Sequence, residues 1–306
     1  MTRQYPTERA MLRLLTGAII AALVVLLAIH TALGGGLFYY CSGRSSGSIP
    51  ETIAALQHRQ ADIDAVTEFW SRVKEKRVEG ALRLVESPIG EYWLPKSCGP
   101  LCLMAEQEHD EYGHVRRGDI VLDCGANVGT FTRQAVAAGA ATVVAIEPAP
   151  ENLECLRRNL REEIQSGTVV VVSKGVWDRE TNLQLTTDNR NSAEDSVVLK
   201  PETPGDTVGI PVTTIDKLVQ ELALPRVDFV KMDIEGAEKQ ALSGGRETIA
   251  RFKPRLGIAT EHLPDDETAI PALVRSIRSD YGTYPVGAKR ILPATGRVGT
   301  QVVQFR

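Results

Sequence analysis

Apolar residues in this chain fall into short runs separated by stretches of helical spacing, and that alternation predicts an α/β fold. Ile120 to Leu122, Thr142 to Ile146, Thr168 to Ser173, Val227 to Asp233 and Arg255 to Thr260 read as strands. Between them, Phe131 to Ala138, Pro150 to Glu163, a stretch capped by Thr213 or Thr214 and running to Leu222, a segment ending at Gly244-Gly245, and Ala269 to Ser279 read as helices. Thr283 to Val286 and Gln301 to Phe305 can close the sheet as an antiparallel pair. Leu183 to Pro211 is polar and turn-rich, with short runs such as Val197 to Leu199, and suggests a hairpin insert. Strands and helices in alternation give a doubly wound sheet.

The N-terminal pattern is different. Leu14 to Leu33 contains no Asp, Glu, Lys or Arg, and at ~1.5 Å per residue it reaches ~30 Å, the thickness of a bilayer core. Tyr39 and Tyr40 follow, residues suited to a membrane interface. We expect an uncleaved transmembrane helix. The alternative is a signal peptide, with Arg3, Arg9 and Arg13 in front and Ala32-x-Gly34 as a cleavage site. Ser42 to Pro50 is a linker by composition, and Glu51 to Val85 mixes apolar and charged residues as one or two amphipathic helices would. The chain thus divides into a tail and anchor over 1–41, a linker and helical extension over 42–110, and the α/β domain over 111–306.

Charge and cysteines narrow the partners. A net charge of −4 over 306 residues does not suit a general nucleic-acid binder. There are five cysteines, and their closest pair, Cys98 and Cys102, lacks the spacing or the histidine partner of a zinc site. Free thiols in a reducing compartment are the expectation, with a Cys98–Cys102 link or redox role as the alternative.

The candidate chemistry begins at I-V-L-D-C-G-A-N-V-G-T-F-T, residues 120–132. A strand ending in Asp123 leads through Gly125, Asn127 and Gly129 into a helix. Glycines there let a ligand approach the backbone, and a nucleotide sits at the carboxyl end of such a strand, against the helix N-terminus. The spacing is not the G-x-G-x-x-G of dinucleotide sites, so a nucleoside without pyrophosphate fits best. Glu147 ends the next strand, where an acid can accept both ribose hydroxyls. In the later strand, Phe229, Lys231 and Asp233 share one face.

The chain resembles the FkbM-type branch of the class I S-adenosylmethionine-dependent methyltransferases. The resemblance lies in V-L-D-C-G-A-N-V-G-T-F-T, V-V-A-I-E-P and V-D-F-V-K-M-D-I-E-G-A-E (121–132, 143–148 and 227–238). It implies a Rossmann-like, seven-stranded sheet and O-methyl transfer from S-adenosyl-L-methionine, often to sugar or polyketide hydroxyls. It also implies that Asp123, Gly125, Asn127 and Gly129 line the methionine and ribose, that Glu147 holds the ribose, and that Val176 or a neighbour touches adenine.

Catalysis then needs an aligned hydroxyl and a proton acceptor. Asp233, Glu235 and His262 stand at strand ends. Pairing with Lys231 would hold Asp233 ionised, leaving His262, with an ordinary pKa near ~6.5, as the expected acceptor. Glu235 can equally serve a helix start. The three could offer hard ligands to a metal, but no dedicated carboxylate pair is visible and none is expected. Two other functions compete: a nicotinamide-dependent oxidoreductase, and a non-catalytic membrane-tethered binding module. The expected acceptor is a small molecule or glycan. The expected location is a membrane, with the domain facing the cytoplasm, where the donor is made.

Overall fold

Parallel strands pair only through crossovers, so a chain of alternating strands and helices must wind outward from a first strand. The structure, a computed structural model, describes residues 48–99, 102–103, 111–201, 203–287, 290–291 and 298–306. The apolar stretch Leu14 to Leu33 lies outside them, and no described helix is long and apolar enough to cross a membrane. The larger of two compact units spans Ile63–Gly287 and Thr300–Arg306 and carries the seven-stranded sheet.

The expected helical extension is only partly helical. Helix α1 (Ile49–Ser71) ends where a three-stranded antiparallel sheet begins: β1 (Lys74–Glu79), β2 (Leu82–Ser87) and β3 (Gly90–Pro95). Every residue of β1 is exposed, so it carries no burial alternation to betray a strand, and its identity comes from backbone pairing to β2. Gly80, at φ 59°, makes the turn between them. Leu82, Val85, Tyr92 and Leu94 form an apolar cluster with Cys98, Cys102 and Leu103. Cys98 and Cys102 are joined as a disulfide, correcting the expectation of free thiols there; Cys124 and Cys155 are free and buried. The Asn159 side chain ties this sheet to the main domain: its Oδ1 accepts from Trp93 N at 2.6 Å, and its Nδ2 donates to Trp93 O and Val128 O.

The main sheet starts with β4 (Ile120–Cys124), followed by α2 (Thr130–Ala137), β5 (Thr142–Ile146), α3 (Pro150–Asn159), α4 (Arg161–Gln165) and β6 (Val169–Val172). An insert follows, β7 (Gly175–Val176), β8 (Thr181–Asp188) and β9 (Pro204–Thr213), then α5 (Ile215–Glu221). The chain re-enters the sheet through β10 (Phe229–Met232), α6 (Glu238–Ser243), α7 (Arg246–Phe252), β11 (Arg255–Ala259), α8 (Asp266–Ile277) and β12 (Thr283–Val286). A separate pair, β13 (Arg290–Ile291) and β14 (Val298–Gly299), precedes the last strand, β15 (Val302–Phe305).

The seven strands lie in the order β12-β15-β11-β10-β4-β5-β6. From β4 to β6 the chain steps outward one way; from β10 to β11 it steps the other. The reversal falls between β4 and β10, and the crevice beyond their carboxyl ends is where an open parallel sheet binds ligands. β15 is antiparallel to both β11 and β12, so the expected closing pair forms, with the last strand inserted between its neighbours. Alternate strand residues face opposite layers: Leu122, Val144, Val230 and Met232 enter one core, and Val121, Val143, Ala145 and Phe229 the other.

The insert is the expected hairpin, β8 against β9, with β7 added parallel to β9. Val197 to Leu199 is a bend rather than a strand. Ser196 instead bridges to Thr186 and donates its hydroxyl to Glu235 O at 2.7 Å. Thr214, not Thr213, caps α5, accepting from Lys217 N.

Candidate active site

Two turns meet at the point of strand reversal, one after β4 and one after β10. Gly125 has φ 80°, and a Cβ there would overlap the carbonyl oxygen of Asp233, so only glycine lets the two turns close on each other. Gly129, at φ 92°, begins α2. Asn127 is left-handed as well, at φ 49°, a conformation asparagine tolerates better than most residues. That twist aims its N–H at Glu147 Oε2, 2.8 Å away, while Glu147 Oε1 accepts from Ala149 N at 2.8 Å. Glu147 is buried. Burial pushes its pKa up to about 7 against the opposing pull of those two N–H groups. Glu147 therefore sits at the end of β5 with both oxygens oriented and lone pairs left over for donors arriving from the crevice.

Asp123 is fully buried on β4 and opposite Lys231 in register. Its Oδ2 accepts from Thr132 Oγ1 at 2.6 Å, while Oδ1 has no hydrogen-bond partner and lies 3.7 Å from Lys231 Nζ. Burial raises the Asp123 pKa, and Lys231 pulls against it. Lys231 Nζ donates to Gly125 O at 2.8 Å and lies 3.9 Å from Asp233 Oδ2. One buried ammonium thus links the two turns. The expected Lys231–Asp233 pairing is present. Burial pushes Asp233 upward, but Lys231, His262 and a hydrogen bond from Tyr112 together outweigh it and hold its pKa down.

His262, in the loop after β11, lies among three carboxylates. Its Nδ1 is 3.0 Å from Glu238 Oε1, and its Nε2 is 3.5 Å from Asp233 Oδ1 and 3.4 Å from Glu235 Oε1. Burial alone would lower its pKa, but Glu238 and Glu235 overcome that and raise it well above the ordinary value. A raised pKa runs against the role expected of His262, since a ring that keeps its proton is a poor proton acceptor. Burial raises the Glu235 pKa against the opposing attraction of His262. Glu235 is left-handed at φ 51°, followed by Gly236 at φ 93°. Such a conformation is uncommon in a side-chain-bearing residue and is often kept for function. Helix α6 starts only at Glu238, so Glu235 is not a residue of its first turn.

The imidazolium has a spectroscopic consequence. Both ring nitrogens of His262 should carry protons at pH 7.5 in a nitrogen-detected imidazole spectrum, and the ring should titrate only well above neutrality. Stability contributed by its ion pairs is fully present below the ordinary histidine pKa and is lost as pH rises through the raised one. A ring that titrates near pH 6.5 contradicts the assignment.

Glu238 was not picked out from the sequence, although it lies in the quoted 227–238 stretch. It is fully buried, accepts from Ile234 N at 2.9 Å, and holds His262. Its signal was the chain of acids spaced through Asp233, Glu235 and Glu238, which the eye reads as helix capping. Tyr112, beside Lys231 with the ring centroid 5.5 Å from Nζ, carried no signal at all, because it lies far away in sequence. The Val176 side chain is buried in the apolar cluster that includes Ile146 and Ile215.

With this geometry in place, comparison with known proteins gives a family. The methyltransferase FkbM domain matches residues 123–282, from the first acid of the site to just past α8. Among solved structures the chain is similar to methyltransferase FkbM from Methylobacillus flagellatus KT, at 25% identity and TM-score 0.45, over 62% of this chain and 44% of that one. It thus spans less than half the length of that relative. It is also similar to M. jannaschii TYW2 in complex with AdoMet, at 14% identity and TM-score 0.41, over 76% of this chain and 88% of that one. A third is Trm5b from Pyrococcus abyssi, at 13% identity and TM-score 0.39, over 77% and 56%. No curated protein matches the sequence.

Proposed function

This chain belongs to the methyltransferase FkbM family, a family of S-adenosylmethionine-dependent methyltransferases, and from that premise we propose that it methylates a hydroxyl oxygen of a sugar, glycan or related metabolite. The nicotinamide-dependent alternative falls with the family.

Asp123, Gly125, Asn127, Gly129 and Glu147 would hold S-adenosylmethionine, and their chemistry fits it. Asp123 Oδ1 and Asn127 Oδ1 are buried acceptors without hydrogen-bond partners, suited to a ligand that brings amine and hydroxyl donors. Glu147 can take a ribose diol, and the glycine turn leaves room for the ligand beside the backbone. Bound there, the donor supplies a sulfonium methyl that needs no further activation.

The chain's own residues then manage the acceptor. Glu235 accepts the hydroxyl proton, Asp233 stays ionised and orients the acceptor, and the His262 imidazolium keeps both carboxylates in place. The observation that carries this reading is Glu235: a half-buried carboxylate with a raised pKa, 3.4 Å from His262, at the edge where the two turns meet. A proton acceptor must sit near the pH at which it works.

The test is a screen of glycans and hydroxylated metabolites with donor tritiated in the methyl group. Label in the product should resist mild alkali, as a methyl ether does. Volatile label released by alkali would mark a methyl ester and overturn oxygen transfer to a hydroxyl. We further place the domain at the cytoplasmic face of a membrane, tethered by Leu14 to Leu33, which holds no charged residue. Full-length protein released from membranes by carbonate would contradict the tether.

A further inference from the structure

The carboxylates around His262 are more numerous than its single charge can neutralise. Asp233, Glu235 and Glu238 lie within 3.5 Å of the ring nitrogens, and Glu261 is the adjacent residue. Of the nearby cations, Lys231 answers Asp233 but is shared with Asp123, and Lys239 serves Asp265 and Asp266. Glu238 is fully buried, yet its Oε2 has no hydrogen-bond partner. A buried carboxylate is costly unless it is fully paired, and this oxygen calls for a partner that no described side chain supplies.

We propose that Asp233, Glu238 and His262 form a divalent-cation site beside the acceptor. One ligand atom from each lies within 4.8 Å of the others. Two ligands at right angles around an ion with bonds of ~2.1 Å stand ~3 Å apart, and His262 Nδ1 and Glu238 Oε1 are 3.0 Å apart. The three residues come from the end of β10, the start of α6 and the loop after β11, all fixed by the sheet, which suits a preorganised site. The Ile234 N–H also donates to Glu238 Oε1, an outer hydrogen bond of the kind that metal-ligating carboxylates characteristically have. One imidazole with two carboxylates suits a transition-metal dication such as Mn2+ better than Ca2+, which takes oxygen ligands.

The role of the site rests on the methyltransferase reading; its existence does not. An ion held there would displace the ring proton of the His262 imidazolium and take over its hold on the carboxylates; it would bind the acceptor hydroxyl oxygen and lower its pKa. The hydroxyl proton passes to Glu235, the freed oxygen pair forms the bond to the methyl carbon, and the sulfur–carbon bond breaks with its electron pair returning to sulfur. Charge and atoms balance without a further reactant. The ion also favours acceptors that offer two neighbouring oxygens, such as a vicinal diol.

The experiment uses the full chain, stripped with a chelator and dialysed, then titrated with MnCl2 while free Mn2+ is followed by electron paramagnetic resonance. One Mn2+ should bind per chain, and Glu238→Gln and His262→Ala should each weaken binding by at least ~10–100-fold. The same samples are melted with S-adenosylhomocysteine, which should still raise Tm in both variants. Free Mn2+ undiminished by the wild-type protein overturns the proposal, as does unchanged binding in both variants. The melting shift reports separately on the donor site, so loss of that shift in the wild-type protein would count against the methyltransferase reading alone.

Discussion

Glu147→Ala should weaken binding of S-adenosylhomocysteine by about 100-fold or more, measured by calorimetry on the full chain. Two ribose hydroxyls donating to a buried carboxylate form charge-assisted hydrogen bonds worth ~1.5–3 kcal/mol each, and losing ~3 kcal/mol is a factor of more than 100. The wild-type affinity should also depend on pH. In the unliganded protein burial raises the Glu147 pKa to about 7, whereas ribose hydroxyls bind its ionised form. Below that value a proton must first be removed, so affinity rises with pH and levels off above it. With a pKa about 7, binding at pH 6 should be ~10-fold weaker than at pH 8, and the alanine variant should lose this dependence. Flat affinity over the same range in the wild-type protein would mean that Glu147 is not the group that meets the ribose.

The second large effect is on stability. Gly125→Ala should cost about 4 kcal/mol or more and lower Tm by ~10 °C. Two costs add at this position. The backbone is at φ 80°, which an L-residue with a Cβ rarely adopts, and the new methyl meets the Asp233 carbonyl, a backbone atom that cannot swing aside. To relieve the overlap, the turn after β4 must part from the turn after β10, which also displaces Lys231 from Gly125 O. Donor affinity should therefore fall together with stability. A variant melting within ~2 °C of the wild-type protein would show that the turns are not closed on each other as described.

Much of this was legible in the sequence because the signals were local. Strand-length apolar runs marked β4, β5, β6, β10 and β11, and the glycine turn with Glu147 marked the ligand edge, since each depends on residues within one strand–helix unit. Three things were not legible, each for a non-local reason. The sheet of β1 to β3 hid behind a fully exposed first strand that has no apolar periodicity. The state of His262 depends on Asp233, Glu235 and Glu238, brought to it by the sheet from a different strand connection; a free histidine pKa says nothing of such a neighbourhood. The burial of Val176 beside Ile146 and Ile215 comes from elements distant in sequence.

The pairing of Lys231 with Asp233 shows the opposite case. Strand periodicity placed both on one face, and the sheet then brought Asp123 opposite Lys231 in the next strand. What the spacing could not tell is that the same ammonium also binds Gly125 O, so that one residue joins the turn after β4 to the turn after β10. Lys231 is thereby a structural hinge-pin as well as an electrostatic partner, with its charge buried between two acids and a carbonyl.

The most direct measurement is calorimetric titration of the full chain with S-adenosylmethionine and, separately, with NAD. Binding of one S-adenosylmethionine per chain, tightening as pH rises through about 7 and absent for NAD, is the expected result. A folded protein that binds no S-adenosylmethionine at either end of that range would contradict the assignment of the β4–β10 crevice as the donor site.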